Sequence, residues 1–213
     1  SEGVTSIGTN AFTSTGLTSI TIPSTVESIG SYAFRNVSNL SSFTMSEGIT
    51  SIGERLFVVT KLAEITLPSS LTSIDDGAFV FVDSLTNITV DKDNNKYKDI
   101  SGVLFDNSNV LQCYPSDKQD TEYDVPDYTL AIGDYALFNT KNLQTLNIPF
   151  SVTRIENFAF ANDIGKEISN INIMSSNNDL NRFDNVSDNY WKSQLYPQIQ
   201  VTYITEPEPE PEP

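Results

Sequence analysis

The sequence predicts a right-handed, β-rich solenoid of about seven coils, one of them enlarged, closed by a C-terminal cap. Two recurring phrases and their constant phase carry that expectation. The first, V-T-S-I-G-x-x-A-F, occupies residues 4–12 and returns at 26–34, 49–57, 71–79, 132–137 and 152–160. Its central isoleucines stand at 7, 29, 52, 74, 132 and 155, with gaps of 22, 23, 22, 58 and 23. The second, L-x-x-I-x-I-P, lies between the copies of the first: Leu17 to Pro23, Leu40 to Met45, Leu62 to Pro68, Leu85 to Val90, Leu143 to Pro149 and Ile168 to Ile173. A fixed period of this size marks stacked repeats, each of which buries its apolar face only against its neighbours.

Each part of the coil follows from its residues. Alternation of apolar and polar positions rich in Thr, Ile and Val makes L-x-x-I-x-I a half-buried strand. The Pro that follows ends it, because Pro cannot donate to a ladder. One strand per coil in constant phase gives parallel pairing. Ile7, Ile29, Ile52, Ile74, Ile132 and Ile155 are expected in one interior column, and Phe12, Phe34, Phe57, Phe79 and Phe160 in another. Leu137 interrupts the phenylalanines, with Phe138 expected to compensate. The A-F segment has room for about one turn of helix or 3₁₀ structure. Gly8, Gly30, Gly53 and Gly133 follow the column isoleucine and suit a turn with positive φ, although Asp75 and Glu156 share that slot.

The 58-residue gap equals an ordinary coil plus one of 35 residues, the same spacing that separates Val90 from Val125. The enlarged coil, 91–124, contains Val103-Leu104-Phe105 and Val110-Leu111 around Asp106-Asn107-Ser108-Asn109, which reads as a small hairpin grafted on the spine. Residues 206–213 are strict Glu-Pro alternation, a stiff acidic spacer of roughly 3.1 Å per residue.

Composition removes several kinds of chemistry. The 213 residues carry 28 acidic and 12 basic side chains, a formal charge of −16, of which −12 falls on residues 1–205. Such a field repels nucleic acid and anionic membrane surfaces and favours basic or carbohydrate partners. No histidine is present, which excludes Ser-His-Asp and Cys-His nucleophiles and His-bearing zinc sites. The single cysteine, Cys113, makes no internal disulfide and reads as a small buried residue. No apolar stretch approaches the ~18 residues of a membrane helix. The chain opens mid-pattern at Ser1-Glu2-Gly3-Val4, so the lack of a leader decides nothing.

The I-P-x-x-V-T-x-I-G-x-x-A-F phrase resembles the leucine-rich repeats of the BspA-like surface proteins of many bacteria and some parasitic protists. The resemblance covers residues 1–173 and implies a leucine-rich-repeat solenoid, a right-handed, β-rich α/β superhelix of 22–23-residue coils. It extends to the insertion, with its Tyr, Gly-Val-Leu-Phe and Tyr-Pro in that order. It also implies a cap over 174–205, made of a short helix near residues 187–196 and a last strand over 199–204. Family repeats often carry Cys three residues after the Phe; here Thr15, Val37, Thr60, Val82, Thr140 and Asp163 stand there, mostly small enough to fill the same interior slot. The resemblance further implies a secreted or surface-displayed, non-enzymatic module that adheres to protein or glycan on host cells, host matrix or other microbes, with 206–213 as its stalk. A monomer without cofactor is expected.

Specific sites are few. The residue between the last two apolar positions of L-x-x-I-x-I points outward, giving a file of Thr21, Thr44, Thr66, Thr89, Asp124, Asn147 and Asn172. Solenoids commonly bind partners on this face; stacked Thr also simply supports neighbouring strands. The adjacent outward file, Ser19, Ser42, Glu64, Asn87, Thr145 and Asn170, supplies no second threonine row of the kind an ice-binding array needs. The insertion is the expected specificity element, since irregular loops carry function more often than the coils holding them. Asp91-Lys92-Asp93-Asn94-Asn95 opens like a calcium loop but places Lys96 and Gly102 where Gly and Glu are required, and so reads as a polar turn. Four sequons, at Asn36, Asn39, Asn87 and Asn185, matter only in a eukaryotic source. Two other readings remain open: an architectural spacer, and a glycan-cleaving enzyme using a carboxylate pair among Asp75, Asp76, Asp117, Asp120, Glu122 and Asp124.

Overall fold

The computed structural model describes residues 3–161, 168–175 and 200–205. Each coil has three sides: a spine, a turn edge and a sheet face. The spine strands hold two residues each in the first four coils, β1 (Ser6–Ile7), β3 (Ser28–Ile29), β5 (Ser51–Ile52) and β7 (Ser73–Ile74), in one parallel sheet. The face strands are longer: β2 (Ser19–Ile22), β4 (Ser42–Met45), β6 (Glu64–Leu67) and β8 (Asn87–Val90). After the insertion come face strands β12 (Glu122–Asp124), β14 (Thr145–Ile148), β16 (Asn170–Ser175) and β17 (Gln200–Thr205), parallel and in that order, alternating with spine strands β13 (Ala131–Ile132) and β15 (Arg154–Ile155). The pairing is in register, Ile7↔Ile29↔Ile52↔Ile74 on the spine and Ile20↔Phe43 on the face. The expected helical cap and the Glu-Pro run lie outside the described residues.

No helix forms among the described residues. The A-F segment is instead a run of tight turns. In the first coil the amides of Ala11, Thr13 and Thr15 bond to the carbonyls of Gly8, Asn10 and Phe12, while the alternate amides of Asn10, Phe12 and Ser14 donate forward to Ser31, Ala33 and Arg35 of the second coil. Two positions per turn adopt positive φ, as at Asn10 and Ser14, Tyr32 and Asn36, Arg55 and Val59, Tyr135 and Asn139. Left-handed residues four apart break any helical run, which is why the turns do not wind on. On the spine the polarity reverses: the amides of Gly30, Gly53 and Asp75 donate backward to Ile7, Ile29 and Ile52 at 2.8, 2.8 and 3.0 Å.

The positive φ expected at Gly8, Gly30, Gly53 and Gly133 is absent; it falls two residues later. Glycine serves close approach at these positions. A Cβ on Gly53 would stand 2.4 Å from the Ser31 nitrogen, and one on Gly30 2.7 Å from that of Thr9.

The insertion contains the expected hairpin around residues 106–109 but is built into the stack rather than grafted upon it. It forms a meander of β9 (Tyr97–Ile100), β10 (Val103–Asp106) and β11 (Val110–Cys113), antiparallel throughout. β11 then pairs parallel with β13, placing Leu111 beside Ile132 in the spine column. Leu111 is therefore the seventh column member, and the spine spacing is 37 and 21 residues where the face keeps 35 and 23 from Ile88 through Tyr123 to Leu146. The two residues gained on the spine are lost from the following turn: Tyr114, three residues after Leu111, donates to Ala136, a bond made in other coils by the residue five after the column position.

Two apolar clusters fill the coils. The first contains Ile29, Phe34, Ile52, Phe57 and Leu104; the second contains Val103, Phe105, Leu111, Tyr114, Ile132 and Phe160. The meander thus contributes to both. Phe12, Phe34, Phe57 and Phe79 stack with centroids 5.1, 6.2 and 6.2 Å apart, and Phe43 stands edge-on between Phe34 and Phe57. Such pairs contribute about 0.5–1.5 kcal/mol each beyond burial. Leu137 fills its column slot, fully buried. Phe138 does not compensate inside; it packs edge-on against Phe81 and Tyr135 at the half-buried turn edge. The family's cysteine slot is filled by buried Val37, Thr60, Val82 and Thr140.

Candidate functional site

The outward file exists, but in three groups. Thr21 pairs with Thr44 and Thr66 with Thr89, all four exposed. No ladder joins β4 to β6. Between Thr89 and Asp124 the insertion intervenes, and the two residues are not neighbours. The Ile88 amide donates to the Gly102 carbonyl at 3.0 Å and the Val90 amide to Asp99 Oδ1 at 2.8 Å, so the β9–β10 turn covers the edge of β8. Gly102 has φ +82 and sits so close to Asn87 that a Cβ would approach its Oδ1 to 2.2 Å.

The third group is a hydrogen-bonded ladder. Asn172 Nδ2 donates to Asn147 Oδ1 at 2.7 Å, and Asn147 Nδ2 donates to Asp124 Oδ1 at 2.6 Å and Glu122 Oε1 at 2.8 Å. Strand register then brings Thr202 beside Asn172. Asp124, Glu122 and Thr202 are exposed while Asn147 and Asn172 are half-buried. Thr202 extends the predicted file, although β17 is not preceded by the full L-x-x-I phrase, and Glu122 joins it from the adjacent outward file, level with Thr145. Chemically this is a strip of amide and hydroxyl groups ending in two acceptors.

The other carboxylates are held in local contacts. Asp117 faces Lys141 at 3.4 Å; Asp120 faces Lys118 at 3.2 Å and accepts the Tyr114 hydroxyl at 3.3 Å. The calcium-like stretch is a turn: Asp91 Oδ1 accepts the Asp93 amide, and buried Asn94 donates to Pro68 and Leu71 carbonyls while accepting the Lys96 and Tyr97 amides. Among the described residues no group of three His, Cys, Asp or Glu is placed to hold a metal ion, and no helix is long and apolar enough to cross a membrane.

Sequence reading names Asp75 and Asp76 as carboxylates but misses the file they share on the turn edge. Glu54, Asp75, Asp76 and Asp134 line an open cleft with Tyr135 and Phe158, where the shortened turn of the enlarged coil leaves a notch. Burial, followed by Asp76 and Glu156, raises the Asp134 carboxyl above its ordinary value. Arg55 spans the notch, its guanidinium donating to Tyr32 and Tyr135 hydroxyls at 3.4 and 3.5 Å. The signal was present one or two residues after Ile52, Ile74, Ile132 and Ile155, though not after Ile7 or Ile29. Below the notch lies Cys113, whose thiol burial pushes up to about 12.

Comparison with known proteins agrees with the coil geometry. The chain matches the family model described as BspA type leucine rich repeat region, in 6 copies, over residues 5–122 and 112–189. No curated protein matches. Among solved structures, the pneumococcal vaccine antigen PcpA is similar at 27% identity and a TM-score of 0.73, over 81% of this chain and 46% of that one. A leucine-rich repeat protein from Eubacterium ventriosum is similar at 28% identity and a TM-score of 0.70, over 84% and 53%. The chain therefore spans about half the length of these relatives. With its period, parallel register and matched copies all in agreement, the chain belongs to the BspA-type leucine-rich repeat family.

Proposed function

We propose that the chain is a non-enzymatic recognition module, secreted or displayed at a cell surface, which adheres to a protein or glycan of a host or another microbe through its sheet face. The observation that carries this reading is the Asn172–Asn147–Asp124/Glu122 ladder, an ordered polar strip raised on four parallel strands. Its similarity to a protein known as a vaccine antigen supports the surface setting. The strip's acceptors and the net charge of −16 suit partners rich in hydrogen-bond donors or positive charge. Loop residues Asn107 and Ser108, exposed at the β10–β11 turn, are among the exposed positions of the insertion that can set specificity, whereas Leu111 and the inner residues of β10 belong to the core.

The test is binding of the protein to immobilised matrix and serum proteins and to a glycan array. Saturable binding weakened at least about tenfold by Asn147→Ala with Asp124→Ala, with unchanged melting, is the expected result; one interfacial contact of this kind accounts for ~1–2 kcal/mol. A folded chain that binds nothing would instead favour a spacer of domains, and turnover of a glycan would favour an enzyme.

A further inference from the structure

One junction between coils is closed on two of its three sides and open on the third. Between the second and third coils the spine is bonded, with Ser28↔Ser51 and Ile29↔Ile52 paired and the Gly53 amide donating to Ile29 at 2.8 Å. The turn edge is bonded too, Tyr32, Phe34 and Asn36 donating to Glu54, Leu56 and Val58 at 3.0, 3.1 and 2.7 Å. On the sheet face β4 and β6 share no ladder, and a cleft of about 350 Å³ opens between them, lined by Ser42, Phe43, Glu64 and Ile65 among others. The missing bonds can be named. Ser41 and Ser42 donate to Thr18, and Thr86 and Asn87 to Ala63, but neither Ala63 nor Glu64 donates to Ser41. At the far end Ser46 donates to Ile22 and Asp91 to Leu67, whereas Pro68 has no amide for Met45.

The cause lies beneath the face. The inward residue of β4 is Phe43, where the neighbouring face strands carry Ile20, Ile65 and Ile88. Its ring lies 5.0 Å from Phe34 of its own coil and 4.8 Å from Phe57 of the next, edge-on to both. A ring therefore stands in a junction that isoleucine leaves clear, and overpacking of this kind moves backbone. Tyr123 is also aromatic but packs on Tyr114 of its own coil, and β12 keeps its ladder with β14 although Pro149 stands where Pro68 does. Neither an aromatic alone nor proline alone opens a face. A side chain clasps the end that the ladder leaves loose. Glu47 accepts the Ser69 amide and hydroxyl and the Ser70 amide, while the Ser70 hydroxyl donates to Ile49 and accepts the Gly48 amide. We infer that the junction between the second and third coils is a latched seam, able to open on the sheet face while its spine and turn edge stay closed, because Phe43 wedges the face strands apart and the Glu47 carboxylate holds their ends together. The device divides the face of the first four coils into two plates, 19–45 and 64–90, on an unbroken spine.

The experiment follows amide exchange by NMR in the full chain. By the register of the other junctions, the Glu64 and Thr66 amides are the ones aimed at β4, as those of Asn87 and Thr89 are at β6. Glu64 and Thr66 are expected to be about tenfold or more less protected than Asn87 and Thr89; equal protection would overturn the inference. Phe43→Ile, which gives β4 the residue of its neighbours, should bring Glu64 and Thr66 up to the protection of Asn87 and Thr89 and leave Gly53 on the spine unchanged. No gain at Glu64 and Thr66 in that variant would remove the wedge and the inference with it. Spin labels at Thr44→Cys and Thr66→Cys in a Cys113→Ser chain read the latch: Glu47→Ala should weaken the dipolar broadening between them and leave that of a Thr66→Cys, Thr89→Cys pair as it was. An equal change in both pairs, or none in either, would show that Glu47 holds no seam shut.

Discussion

Two carboxylates in this chain respond to pH with opposite signs, and the reason is what surrounds each. Glu47 accepts the Ser69 amide and hydroxyl and the Ser70 amide at 3.1, 2.9 and 3.2 Å, which holds its carboxyl below the ordinary value. A carboxyl lowered by folding adds stability above its unfolded value, and that contribution is lost as pH falls through the folded one. Glu47→Gln is therefore expected to lower the melting temperature at pH 7 and to be silent once Glu47 is protonated. Asp134 is raised, so its charge opposes folding at neutral pH and protonation on the acid side relieves the penalty. Asp134→Asn should raise the melting temperature at pH 7 slightly, because solvent screens a carboxyl that is only partly buried, and the gain should vanish as pH falls. Melting curves of both variants across pH 3–8, near the usual carboxylate values and above, check the two signs together. Cys113 gives a third expectation: it is half-buried, and desolvation pushes its thiol up to about 12, so it should alkylate more slowly at pH 8 in the folded chain than after unfolding. That behaviour accords with the composition, where a lone cysteine without histidine reads as filler; the acid file around Asp134 was equally present in the sequence but lay in a slot next to the one that was followed.

At the scale of the element, the spine turn makes unequal demands on glycines that look alike in sequence. Gly8 and Gly53 occupy the same slot, yet a Cβ on Gly8 meets nothing within 4 Å and one on Gly53 meets Ser31 nitrogen at 2.4 Å. Gly8→Ala should be nearly neutral and Gly53→Ala should cost about 1–3 kcal/mol or more, as overpacking does, read by chemical denaturation. Val59 is the converse case, an exposed β-branched residue at φ +58. Val59→Gly relieves a left-handed conformation that costs a non-glycine residue roughly 1–2 kcal/mol, and is expected to stabilise. Face strands, their phase and most of the column were legible because each repeat states them again. The seventh column member was not, because Val110-Leu111-Gln112 lacks the Ser-Ile-Gly phrase and its partner Ala131-Ile132 is a nonlocal choice. The split of the threonine file was hidden for a related reason: a one-coil phrase records which way a side chain points, but not whether the next strand bonds to it.

Across the whole molecule, the meander sets how the two clusters communicate. Leu104 belongs to the first and its neighbours Val103 and Phe105 to the second. Solenoid stability is a sum over coils and the interfaces between them, so weakening this interface should uncouple the halves. Leu104→Ala, a loss of about 2–5 kcal/mol at a buried site, is expected to split a single calorimetric transition into two; a single lowered transition would show that the coupling runs elsewhere. The opposed directions of the backbone bonds have a separate consequence. Spine amides that follow the column isoleucine, such as Gly30 and Gly53, point toward the start of the chain and turn-edge amides toward its end, while the parallel ladders carry bonds in both directions. In an α-helix every peptide dipole adds, leaving about half a charge at each end. Here bonds of both directions run along the stacking axis, so peptide dipoles largely offset one another, as strand dipoles in a sheet do. A rod built this way gains length without accumulating polarity, and the charge that a distant partner senses is set by side chains alone.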